Sequence, residues 1–183
     1  FWQIPSLQLR VSSDAGNALS LRAGALELGL LKQLATLLPS VPDNAVNIVN
    51  TLDPRGQLVN LRFETVLDSE SPERFDLRAN IADLAVEAWG GAPSGRGLQG
   101  YLQMNARQGF VEVDTDDADI HLPRLFADSW HYDHLNTRVH WTVSDEGFRV
   151  GSTAIDVQRP GLDGTVRFDL YSTRDSQGAR VAE

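Results

Sequence analysis

Apolar and polar residues alternate along most of this chain, beginning with Leu7, Leu9 and Val11 and resuming at Leu19, Leu21 and Ala23. Side chains two apart share one face of a strand, so this period predicts a pair of strands. The spacing then changes. Leu30, Leu31, Leu34, Leu37 and Leu38 fall on one stripe of a short helix that Pro39 cannot continue. A second short helix is expected up to Leu52: Asp43 is placed to cap it, Ala45, Ile48, Val49 and Leu52 line one face, and Asp53-Pro54 ends it. From Gly56 onward the alternation returns in successive segments bounded by Gly, Pro, Asp and Ser clusters, the residues of turns. The expected organisation is a single β-rich unit over 1–183, with strands in 1–27, two short helices in 28–52, an antiparallel meander in 56–171 and a tail in 172–183.

The segments agree on which side is apolar. Leu61, Phe63 and Leu67 share a face, as do Phe75, Leu77, Ala79 and Ile81, while Arg62, Glu64, Asp76, Arg78 and Asn80 point the other way. Leu98, Leu102, Met104 and Ala106 repeat the pattern, followed by Val111 and Val113, by Leu135, Val139, Trp141 and Val143, and by Val166, Phe168 and Leu170. The fold expected is therefore mainly β, a broad curved antiparallel meander sheet with one apolar face and two short helices. Large apolar faces are uncommon on isolated proteins, so this one needs a cover. Either the sheet closes into a sandwich or barrel and fills itself, or it stays open as a trough that holds an apolar ligand. The candidate lining of such a groove is Leu61, Phe63, Leu77, Ile81, Leu102, Met104, Val111, Val113, Val139, Trp141, Val143, Val166, Phe168 and Leu170.

Composition narrows the function classes. A chain of 183 residues with 42% hydrophobic and 22% charged residues has the makeup of a folded globular domain. Its formal net charge of −9 repels a phosphate backbone and no Lys/Arg-rich run offsets it, so nucleic acid is not an expected partner. There is no cysteine, hence no disulfide or thiolate chemistry. The beginning Phe1-Trp-Gln-Ile-Pro5 has no initiator Met and no apolar run of membrane-spanning length, and is expected to be a cut from something longer.

Four motifs carry candidate chemistry and each fails on context. Gly95-Arg-Gly-Leu-Gln-Gly100 matches the dinucleotide glycine fingerprint, but that chemistry needs a helix N-terminus next, and Tyr-Leu-Gln-Met-Asn-Ala alternates as a strand; a turn is expected. Asp114-Thr-Asp116-Asp117-Ala-Asp119 gathers carboxylates, yet Ala118 stands where a calcium ligand is due, so a solvated strand end is expected. His131 and His134 are spaced to share a metal only on a helix and with further ligands, so they read as surface histidines. Gly91-Ala-Pro-Ser94-Gly95 misses the nucleophile elbow by one position. No catalytic residue, metal ligand or cofactor site is assigned.

The order of segments is itself distinctive. Leu28-Gly-Leu-Leu-Lys-Gln-Leu-Ala-Thr-Leu-Leu-Pro39 is followed by Leu52-Asp-Pro-Arg-Gly56, Phe75-Asp-Leu-Arg-Ala-Asn-Ile-Ala-Asp-Leu84, Trp89-Gly-Gly-Ala-Pro93 and Gly97-Leu-Gln-Gly100. Ile120-His-Leu-Pro-Arg-Leu-Phe126 then leads to Leu135-Asn-Thr-Arg-Val-His-Trp141. Together these resemble the large AsmA-like proteins of the YhdP type over nearly the whole chain. The resemblance implies an internal segment of a periplasmic protein, anchored in the inner membrane of a Gram-negative bacterium by parts outside this chain. It also implies an elongated apolar β groove that moves phospholipid toward the outer membrane, with phospholipid or acyl chains and adjacent segments of the same polypeptide as partners, and no enzyme activity. Trp130-His-Tyr-Asp-His134 departs from the family pattern, which more often has a Pro-Leu-x-Leu linker there.

Overall fold

A computed structural model of the chain describes residues 6–12, 17–30, 50–66, 75–88, 93–123, 126–144, 147–174 and 180–182. Twelve strands occupy most of them: β1 (Gln8–Ser12), β2 (Ala18–Glu27), β3 (Arg55–Val66), β4 (Phe75–Val86), β5 (Ser94–Asn105), β6 (Gln108–His121), β7 (Trp130–Ser144), β8 (Gly147–Ser152), β9 (Ile155–Arg159), β10 (Leu162–Val166), β11 (Asp169–Arg174) and β12 (Arg180–Ala182). Consecutive strands pair antiparallel from β1 through β8 and the sheet continues through β11 to β12, so it is an open meander rather than a barrel. The backbone is helical at 28–30 and again at 50–52, within the two segments expected to be short helices. Their middle residues, and Leu67, lie outside the described residues. The end of the chain, expected as a tail, contains the last part of β11 and β12.

The sheet divides at its long strand. One edge of β7 carries β8 beside residues 139–144 and β9 beside residues 134–136. β11 pairs with β8 and β10 pairs with β9, so the last strands are two long strands, each broken in the middle. The break is a bulge: Val139 pairs with Ser152 and Asn136 with Asp156, which leaves residues 153–155 opposite Thr137 and Arg138. Its free backbone groups are taken up locally, because Arg138 donates its amide to Thr153 Oγ1 at 3.0 Å and Phe168 donates its own to Ser152 Oγ at 3.0 Å.

Four further interruptions cross the middle of the sheet, one in each of β3 to β6. Asn60 (φ 55°), Asp83 (φ 52°), Gly97 (φ 72°) and Asp117 (φ 64°) adopt the left-handed conformation inside strands. Asn, Asp and Gly bear this backbone at least cost, which accounts for their presence at these sites. At Gly97 a side chain is also excluded, since a Cβ there would stand 2.8 Å from the Asp117 carbonyl oxygen on the neighbouring strand. Each such residue moves the inward positions from a spacing of two to a spacing of three. Leu58 is followed by Leu61, Ile81 by Leu84, Gly95 by Leu98 and Thr115 by Ala118. Bulges bend a strand and raise its twist, so a line of them across adjacent strands curves the sheet about its apolar side. The Gly95–Gly100 stretch is thus not the turn its glycines suggest but the bulged first half of β5.

The best-covered core sits on the apolar face of β2 to β4. Ala23, Leu26, Leu28, Leu58, Leu61, Ala79 and Ile81 form one buried cluster, with Leu21, Leu30, Leu77, Leu84, Leu102 and Val111 packed against it. Leu28 and Leu30 belong to the helical residues that follow β2, so this end of the face has a partial cover of its own.

Candidate functional site

In an antiparallel ladder, residues directly opposite one another project from the same face, so the register decides whether the apolar positions of separate strands join. They do. One row runs Leu9, Leu21, Phe63, Leu77, Met104, Gly109, Trp141, Val150 and Leu170, each residue paired to the next across a strand boundary. A second runs Ala79, Leu102, Val111, Val139 and Ser152. A third joins Leu26, Leu58, Ile81, Gly100, Val113 and Thr137. Val143 pairs with Phe148, and Val166 with Ile155, at the far margin. With strands about 4.8 Å apart, the first row is about 38 Å long.

The lining expected from the sequence falls on this one face at different depths. Leu61 and Ile81 are buried and form its floor at β3 and β4. Phe63, Leu77, Leu102, Met104, Val111, Val113, Val139, Trp141 and Phe168 are half-buried. Val143, Val166 and Leu170 are exposed, at 47%, 58% and 51% of their surface, as are Leu7, Leu9 and Val11 at the opposite margin. The apolar side chains are therefore covered near β2 to β4 and accessible toward both lateral margins. Leu58, Leu84, Val150, Ile155 and Val157 share the face too; Leu58 and Leu84 escape simple alternation because each stands three residues from its inward neighbour across a bulge, whereas Val150, Ile155 and Val157 alternate within the short strands β8 and β9. The available signal was a polar or glycine residue interrupting the period at 60, 83 and 97.

Trp141 is seated by the absence of a side chain. A Cβ on Gly109 would lie 2.4 Å from Trp141 Cζ2 and 2.7 Å from Met104 Cβ, so the indole occupies the space that any other residue would fill. Polar atoms on the face are few. Thr115 is buried and donates its hydroxyl to the Gly97 carbonyl at 2.8 Å, bracing the bulge. The Thr137 hydroxyl is buried with no hydrogen-bond partner among the described residues.

The opposite face is charged and internally paired. Arg138 bonds Glu112 and lies 4.5 Å above the Phe110 ring, and Arg149 bonds Asp169 through Nε at 2.9 Å. The Arg149 hydrogen bond holds the Asp169 carboxyl below its ordinary range, and Asp76 raises the Arg78 guanidinium in the same way. The acidic run and the histidine pair meet here: His134 Nδ1 is 2.7 Å from Asp116 and His131 Nδ1 is 3.2 Å from Asp119, across β6 and β7. The run lies within β6 rather than at a strand end. Among the described residues no group of three or more His, Asp or Glu is placed to hold a metal ion. Also among them, no helix is long and apolar enough to cross a membrane.

No curated protein and no solved structure matches this chain. The model of the YhdP protein family matches residues 2–179. With the open sheet and its one apolar face, that match across nearly the whole length establishes that the chain belongs to the YhdP family.

Proposed function

We propose that this chain is a segment of an envelope protein, anchored in the inner membrane by other parts of the polypeptide, whose apolar sheet face conducts phospholipid through the periplasm toward the outer membrane. The observation that carries this reading is the row from Leu9 to Leu170, in which aliphatic and aromatic side chains follow one another across the sheet and the Trp141 indole fills the place left by Gly109. An acyl chain laid along it leaves water at about 0.8 kcal/mol per methylene. A row of similar apolar contacts with few hydrogen-bonding groups offers successive sites of comparable depth, which suits movement as well as binding. The role is one of transfer and not of catalysis.

The direct test is organic extraction of the chain purified from a Gram-negative host, followed by mass spectrometry of lipids. Phospholipid or free fatty acid is expected in amounts comparable to the protein. Its absence, together with failure of the folded chain to take up a fluorescent fatty acid, would favour a structural or protein-binding scaffold, for which the outer edge of β1 offers a place for strand addition.

A further inference from the structure

A charge interrupts the apolar phase of the sheet at the end of β9. Arg159, the last residue of β9, shares the phase of Ile155 and Val157 and is half-buried like them. Its guanidinium lies 4.6 Å from the centre of the Trp130 ring, and Phe126 packs on the same indole at 3.9 Å between centroids. Trp130 opens β7 and pairs with Ile120 near the end of β6, so the cluster stands where strand ends meet the rim of the apolar face. Among the described residues no carboxylate comes within ion-pair distance of Arg159, whereas Arg55, Arg78, Arg138 and Arg149 each have an acidic partner. A guanidinium lying over an indole face leaves N–H groups at its edge to bond an acceptor.

A cation with no acidic partner among the described residues, seated over an indole at the margin of an apolar face, matches a ligand that is anionic at one end and apolar at the other. We propose that Arg159, oriented by Trp130, binds the phosphate of a phospholipid whose acyl chain lies on the apolar face; this rests on the lipid-conduit reading above. Planar guanidinium and phosphate oxygens form paired charge-assisted hydrogen bonds. Tyr132, buried beside the cluster, has its phenol pushed above the usual range by that burial, so it stays neutral and adds no negative charge against the phosphate. Half of a bilayer's hydrocarbon core is about 15 Å thick, which is the reach of one acyl chain and about three strand spacings. From Arg159 such a chain passes β7 and β6 and ends over β5, across Val157, Leu135 and Leu98. The rim site thereby sets where a headgroup pauses while its tail remains on the shared apolar path.

The experiment compares two ligands with one tail, a lysophosphatidylglycerol and the corresponding monoacylglycerol, each below its micellar concentration, bound to the 183-residue chain. The parent is expected to bind the phosphate-bearing lipid about tenfold more tightly, as one charge-assisted hydrogen bond allows. Arg159→Gln should abolish that preference with monoacylglycerol binding unchanged, and Arg159→Glu should invert it, an outcome that loss of packing alone does not produce. Equal binding of the two lipids by the parent, or a preference that survives in Arg159→Gln, overturns the assignment while leaving the groove intact. If neither lipid binds, the conduit reading falls with it. Displacement of the lysolipid by inorganic phosphate, beyond that caused by chloride at equal ionic strength, would make this a site for the free anion and also overturn the proposal.

Discussion

Val139→Asp places a carboxylate in the middle of the apolar face, between Val111 on β6 and Ser152 on β8. Val139 is half-buried, so the substitution forfeits about half of the 1.5–3 kcal/mol that full burial of a valine contributes, plus a few tenths from its cross-strand pair with Val111. The new carboxylate reaches water from the open side of the sheet and escapes most of the desolvation cost of a buried charge. A loss of about 1–2 kcal/mol is expected, which for a chain of this size lowers the melting temperature by about 2–8 °C. Leu61→Asp is the contrast. Leu61 is only 2% exposed and faces Ala23, so a charge there is buried without a partner, and its cost approaches the whole stability of about 5–15 kcal/mol of a typical domain. The assay is a far-UV circular dichroism melt beside titration with a fluorescent fatty acid. Val139→Asp should melt cooperatively and lose at least tenfold in affinity, while Leu61→Asp should fail to fold. Thr142→Asp, on the exposed opposite face beside Arg149, is the control and should change neither property. Arg138 is unsuitable for that purpose, because an aspartate there would face Glu112 and uncover Phe110. A folded Val139→Asp that binds the probe like its parent would refute the assignment of this face as the lipid path.

Gly109→Ala should displace the Trp141 indole, costing about 1–3 kcal/mol by overpacking and shifting tryptophan emission, both read in a denaturant titration followed by fluorescence. Thr137→Val keeps the shape and removes a buried hydroxyl that has no partner among the described residues, so chemical denaturation should show a gain of about 1 kcal/mol. Asn60→Val puts a β-branched residue into left-handed backbone and should cost about 1–2 kcal/mol or more, whereas Asn60→Gly should lie near the parent on the same denaturation curve.

The strands and the apolar side of each were legible because strand periodicity is local. In Phe75-Asp-Leu-Arg-Ala-Asn-Ile the alternation alone separates Leu77 and Ile81 from Arg78 and Asn80, and the structure keeps that division. The bulges were not legible, because one extra residue resets the period without changing composition. Leu58 was lost from the face for that reason, and the glycines of Gly95–Gly100 were read as a turn although they let β5 bend while remaining paired. The acidic run and the two histidines were weighed separately because nothing local links Asp116 to His134; only the register of β6 against β7 brings them to 2.7 Å. Arg159 had a visible signal, a charge on the phase of Ile155 and Val157, but its meaning depends on Trp130, a strand away.

By itself the sequence determined that this chain is built of strands with one apolar side and, through the order of its segments, to which family it belongs. Both properties reside in neighbouring residues, whose side chains alternate whatever the strand later pairs with. Tertiary structure alone decided that the separate apolar sides join into rows across the sheet, that left-handed residues in β3 to β6 bend it, and that it divides beyond β7 without closing. Register, curvature and closure are set by hydrogen bonds between residues distant in the chain. A shift of one residue turns a whole strand over, so no local pattern can specify them.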